Sequence, residues 1–130
     1  MALTTDDTIA IQQLYARYNH AIDSGNADGW AACFTPDGTF ASASGNFAGT
    51  QQLADFARAF AARMKARHWV NNLVIDGTGN EATGSCYLML LRLAGEGQPA
   101  SIMTTAIYRD TIVKHGGAWT FASRTVTGDA

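Results

Sequence analysis

The stretch Arg67-His68-Trp69-Val70-Asn71-Asn72-Leu73-Val74-Ile75-Asp76 decides how this chain is read. Its β-branched and aromatic residues, stopped by Gly77-Thr78-Gly79, predict a strand. Side chains alternate along a strand, so His68, Val70, Asn72 and Val74 share one face and Trp69, Asn71, Leu73 and Ile75 the other. Both faces are largely apolar, which predicts an inner strand covered on both sides. His68 opens the strand on a face otherwise suited to a packed interior. A histidine there is either a hydrogen-bonded core residue or the working base of a pocket.

Downstream, three more strand-like runs follow with no helix between them, over about 81–93, 100–113 and 118–127. Their separators are the 94–99 segment and His115-Gly116-Gly117. Consecutive strands with short links predict an antiparallel meander. Ala82, Gly84 and Cys86 alternate along one side of the first run, where small residues permit curvature and leave space.

Upstream, the period changes. Thr4 or Thr5 can cap a helix whose first turn holds Asp6 and Asp7, and Ile11, Leu14, Tyr15, Tyr18 and Ile22 follow at helical spacing until Gly25 stops it. Asp23 falls at the flank of that stripe and His20 on the opposite side. Asn26 can cap a short helix through Trp30, Ala31 and Phe34. Pro36-Asp37-Gly38 turns the chain into a brief strand, Thr39 to Ser42, and a loose hairpin around Gly45, Phe47 and Gly49. Thr50 is the expected cap of a third helix, with Leu53, Phe56, Ala57, Phe60 and Met64 on one face. Helices first and long antiparallel strands after them predict an α+β fold. A bent sheet closed by three helices makes a cone around an apolar cavity.

A length of 130 residues suits one domain, 1–130, with a real core. Apolar residues make up 47% and charged ones only 15%, so apolar surface is left over for a cavity or an interface between copies. The net charge of −2, without a basic stripe, argues against a nucleic-acid partner. No apolar run reaches the roughly 18 residues of a membrane span, and the N-terminus lacks a signal pattern, so no membrane partner and a cytoplasmic location are expected. The three histidines share no metal-ligand spacing, and no Gly-rich loop leads from a strand into a helix, so neither a metal nor another cofactor is expected. Cys33 and Cys86 form no motif and are expected to be reduced and buried.

The order of elements resembles the SnoaL-like branch of the nuclear transport factor 2-like superfamily. The resemblance is carried by Ala10-Ile11-Gln12-Gln13-Leu14-Tyr15, Tyr18, Asp23, Trp30 and Arg67-His68-Trp69-Val70-Asn71-Asn72, with Tyr108-Arg109-Asp110 and Trp119-Thr120-Phe121-Ala122-Ser123-Arg124 near the C-terminus. It implies a cone-shaped α+β barrel with an apolar cavity, often dimeric through the sheet, on a scaffold that hosts both enzymes and binders. Asp23 and His68 are similar in position to the Asp–His pair of the scytalone, bile-acid and dehydrochlorinase types of member, and Tyr18 to a tyrosine of the bile-acid type. Tyr18 stands where the dehydrochlorinase type has lysine, which disfavours that reaction. Arg92 stands near where the dehydratase types carry a second histidine or an acid. The ketosteroid isomerase type would place its base near Ser42 and an acid near Ala106, which excludes that mechanism.

Elimination of water next to a carbonyl needs a base for the α-proton, a donor for the developing enolate and an acid for the departing oxygen. Neutral imidazole suits the first role when a carboxylate holds its other nitrogen. His68 is therefore the expected acid/base, Asp23 its orienter and Tyr18 the oxyanion donor. Trp30, Phe40 and Phe56, with Phe60, Met64 and Met89, read as cavity wall or core. Asn72 could contact substrate from the His68 face, or equally serve strand pairing or a turn. Arg124 could enter the cavity mouth, although an arginine late in a strand is more often a solvated edge, as is Arg92. His20 and His115 are expected at the surface. The sequence thus points to a cofactor-independent, dehydratase-like lyase for a mid-sized apolar substrate, working as a homodimer through the sheet. An isomerase or hydrolase using the same pair, or a non-catalytic ligand-binding or accessory dimer, remain the alternatives.

Overall fold

A computed structural model describes all 130 residues. The order of elements is α1 (Thr5–Ser24), α2 (Ala27–Ala31), β1 (Phe34–Ser42), β2 (Gly45–Ala48), α3 (Thr50–Arg63), β3 (Ala66–Thr78), β4 (Glu81–Arg92), β5 (Ser101–His115) and β6 (Ala118–Gly128). The six strands form one sheet in the order β2-β1-β6-β5-β4-β3. The fold is α+β, a curved sheet covered on one face by the helices. Along β4, Ala82, Gly84, Cys86, Leu88 and Leu90 are buried on the face toward α1 and α3, while the residues that alternate with them face outward.

The meander from β3 to β6 is antiparallel throughout. The sheet as a whole is not, because β1 runs parallel to β6. After the β1–β2 hairpin, α3 carries the chain to the far edge. Three hairpin connections then bring it back to finish beside β1 in the same direction.

That route also corrects the expected position of β3. It is an edge strand whose one neighbouring strand is β4, and its outer face is open: Trp69 is 58% and Val74 60% exposed. A bulge between Asn71 and Val74 breaks the alternation, and Asn72 sits in the left-handed region at φ 54°, which asparagine tolerates better than most residues. His68 and Val70 face the helices before the bulge, Leu73 and Ile75 after it. Asn72 and Val74 therefore do not share the His68 face.

Thr4 and Asp7 form a capping box at the start of α1, and Gly25 ends the helix at φ 78°. Asn26 caps α2 through the Gly29 N–H. Gly49, not Thr50, is the cap of α3; it makes no side-chain capping bond, and its φ of 85° is one that threonine would resist. Asp7 also accepts hydrogen bonds from Lys114 Nζ and Trp119 Nε1, each at 3.0 Å, so α1 is pinned to the β5–β6 hairpin at its first turn. These donors, led by the Trp119 indole, hold the Asp7 carboxyl far below its ordinary value of 3.8.

At the middle of α1, Tyr15 donates to Asp110, which also receives Arg124 Nε and a terminal nitrogen at 2.7 and 2.8 Å. Asp110 and Arg124 lie opposite each other in the β5–β6 register and are fully enclosed. The Arg124 guanidinium stacks among Tyr15, Tyr18, Tyr108 and Phe121, 3.8 to 4.9 Å from their ring centres. It is neither at a cavity mouth nor on a solvated edge. Gly84 makes the approach of Tyr15 possible, since a Cβ there would fall 2.1 Å from the Tyr15 hydroxyl.

Two stability measurements follow. Asp110→Ala leaves a buried guanidinium unpaired and should cost about 3–5 kcal/mol in urea unfolding, whereas replacing both partners by apolar residues should cost much less. For Asp7, the native state binds fewer protons than the unfolded chain once pH approaches 3.8, so its contribution is complete above that value and fades as pH falls below it. The gap in urea midpoint between wild type and Asp7→Asn should stay constant above about pH 5 and narrow in more acid solution.

Candidate active site

Asp23 lies in the last turn of α1 and His68 near the start of β3, and the structure brings them together. The Asp23 carboxylate accepts the His68 backbone N–H at 3.1 and 3.2 Å and sits 2.6 Å from His68 Nδ1. Both side chains are more than nine-tenths buried. With the carboxylate ionised, Nδ1 must carry the proton, and Nε2 of a neutral ring is left with a free lone pair. Nε2 has no protein partner.

The His68 ring packs against Phe60 and borders a cavity of about 420 Å³ between the helices and the sheet. Of the residues assigned to its wall from sequence, Tyr18, Trp30, Phe40, Phe56, Phe60 and Met64 border it. Met89, Asn72 and Arg124 do not. Met89 points to the outer face of β4. Asn72 lies on a separate, polar groove of about 720 Å³ between α1 and β3, which Asn19, Asp23, Asn71 and His68 also line. His68 alone among these borders both spaces, so one imidazole lies between the apolar cavity and the polar groove.

Tyr18 is buried within a ring cluster of Trp30, Phe34, Tyr108 and Phe121. Burial raises its pKa, partly opposed by the Arg124 guanidinium, so its hydroxyl keeps its proton near neutral pH and is able to donate it. The Trp30 indole N–H is buried without a partner. Burial likewise pushes the free thiols of Cys33 and Cys86 up to about 11, which makes them poor nucleophiles.

Several cavity residues escaped the sequence reading. Leu88, Leu90, Ala106 and Tyr108 complete the floor, and strand alternation could have found them. Met103, Thr104 and Arg63 complete the rim, and no local pattern marks a rim. Ser42 and Ala106 both border the cavity and neither carries an ionisable group, so the base and acid of the ketosteroid isomerase arrangement have no counterpart here.

A model of the SnoaL-like domain matches residues 4–125. The chain belongs to this family. Known structures agree with this assignment. A protein of unknown function from Mycobacterium tuberculosis is 32% identical, with a TM-score of 0.88 over 94% of this chain and 71% of its own. A cystatin-like protein of unknown function from Nostoc punctiforme is 26% identical, with a TM-score of 0.90 over 99% and 96%. A Novosphingobium aromaticivorans protein with a provisional scytalone dehydratase assignment shares the fold at 21% identity, with a TM-score of 0.83 over 95% and 84%. No curated protein matches the chain at comparable significance. No helix of this SnoaL-like protein is long and apolar enough to cross a membrane.

Proposed function

We propose that this SnoaL-like protein is a cofactor-independent lyase, acting as a dehydratase on a mid-sized apolar β-hydroxy carbonyl compound. The observation that carries the reading is the 2.6 Å contact between Asp23 and His68 Nδ1, with His68 itself bordering an apolar cavity. In this reading Nε2 removes the proton next to the carbonyl, and the C–H electron pair enters the enolate. Tyr18 donates its hydroxyl to the enolate oxygen. The enolate then collapses to the C=C bond, the C–O bond breaks, and the imidazolium returns its proton to the departing hydroxide as water. Asp23 stabilises the imidazolium between the two transfers without itself taking the proton. The enzyme ends as it began, so no second histidine is required. The likeness in fold to a scytalone dehydratase-type protein supports the choice of elimination.

A double-bond shift would use the same proton transfers without a leaving group, and product analysis separates the two. His68→Ala should lower kcat/KM for elimination by about 10²–10⁴, as expected for loss of a positioned acid/base. Tyr18→Phe should lower it by about 10²–10³, the loss typical of an oxyanion donor. Activity of His68→Ala within a few-fold of wild type, across a panel of β-hydroxy ketones and thioesters, would remove the assignment.

We also propose that the protein works as a symmetric homodimer through the outer face of the sheet. No helix covers that face, and Trp69, Val74, Tyr87 and Ile102 stand on it more than half exposed. An isologous contact would cover them in both copies. Sedimentation should give a dimer for wild type and a monomer for Trp69→Arg combined with Tyr87→Glu.

A further inference from the structure

We propose that the ligand of the His68 cavity is an amphipathic anion, with a flat apolar body inside and a carboxylate at the end that meets Arg63. The proposal takes from the functional reading only that this cavity holds the ligand. Its wall is dominated by aromatic and aliphatic side chains, and neither aspartate, glutamate nor lysine borders it. Arg63, in the last turn of α3, is the one permanently charged residue on it. Arg63 forms no ion pair. Asp55, its acidic neighbour on the adjoining surface groove, is instead held by Arg58 at 3.4 Å and by the Gln51 amide at 3.0 Å.

One polar group on the same wall fits the same chemistry. Ser42 Oγ accepts the Ser44 N–H at 3.1 Å, which leaves its own hydroxyl proton free to donate. Thr104 also borders the cavity, and its hydroxyl donates to the Thr105 carbonyl at 3.4 Å. A guanidinium and a free hydroxyl donor on one otherwise apolar wall match a carboxylate, and a cation or a wholly apolar ligand leaves them unmatched. Arg63 is exposed, so the pairing is screened and acts on selectivity more than on total affinity.

The test compares binding of 2-naphthoate, its neutral isostere 2-naphthamide and 2-naphthylmethylammonium by calorimetry. At about 0.05 M salt, 2-naphthoate should bind about fivefold tighter than the amide, the ammonium should be weakest, and the preference should shrink at about 0.5 M. Arg63→Gln should abolish the preference while binding the amide like wild type, which also shows that the variant is folded. His68→Ala should retain the preference, which distinguishes Arg63 from a protonated imidazole as its source. Equal binding of acid and amide, no saturable binding of 2-naphthoate, or a preference that survives Arg63→Gln or disappears with His68→Ala would overturn the proposal. Elimination plays no part in these readouts. Loss of the lyase reading would leave a measured preference standing, and an active lyase indifferent to the carboxylate would remove this proposal alone.

Discussion

A carboxylate in the last turn of a helix meets the negative end of the helix dipole and a row of unpaired carbonyls. Asp23 occupies such a place at the end of α1, and His68 offsets the cost by presenting both its backbone N–H and its ring Nδ1. The contact joins the C-terminal end of α1 to the start of the edge strand. At the other end of the helix, Asp7 ties the first turn to Lys114 and Trp119 on the β5–β6 hairpin. A helix of 20 residues, about 30 Å long, is thus held at both ends by carboxylates reaching the sheet.

Holding α1 in this way also shapes the hollow. Tyr15 touches the sheet where Gly84 gives way and reaches the Asp110–Arg124 pair. One turn later Tyr18 and then Ile22 border open space instead. Aromatic side chains from α2, β1 and α3 line that space. Trp30, Phe40 and Phe56 meet edge-on or tilted at 5.1 to 5.6 Å, a geometry that walls a chamber without filling it. The site residues are therefore consequences of the same packing that makes the fold.

Much of this was legible in the chain. The apolar stripes of α1 and α3 are local, and the meander follows from long runs with short links. Asp23 and His68 could be paired because a family resemblance joined positions far apart in sequence. What was hidden depended on pairing across strands. Nothing in residues 67–76 says which side of the strand lacks a neighbour, so an apolar edge strand reads like an inner one. The bulge at Asn72 shifts the phase of β3 without a glycine to announce it. Arg124 was misplaced for a similar reason: Trp119 and Phe121 alternate inward, but the next buried residue is three positions on, after an irregularity in the β5–β6 pairing. The signal that could have corrected it lay on β5, where Asp110 falls between Tyr108 and Ile112 on the inward face and requires a buried cation.

Under the proposed mechanism the Asp110–Arg124 pair would bear on the chemistry as well as on stability. A buried ion pair is seldom an efficient way to stabilise a fold, since desolvation offsets most of the attraction. Here its guanidinium lies over the Tyr18 ring, 4.4 Å from its centre, on the residue whose hydroxyl is proposed to face an enolate. Burial alone would make Tyr18 a weak donor, and the positive charge acts in the opposite direction. In a largely apolar chamber, that field would act with little screening on a proton shared between the tyrosine and the developing oxyanion of the proposed reaction. Asp110 keeps the arrangement neutral overall, so the fold can hold a cation against the Tyr18 ring without exposing it to water. Arg124 would then assist the reaction through Tyr18, by position and charge, without touching the substrate.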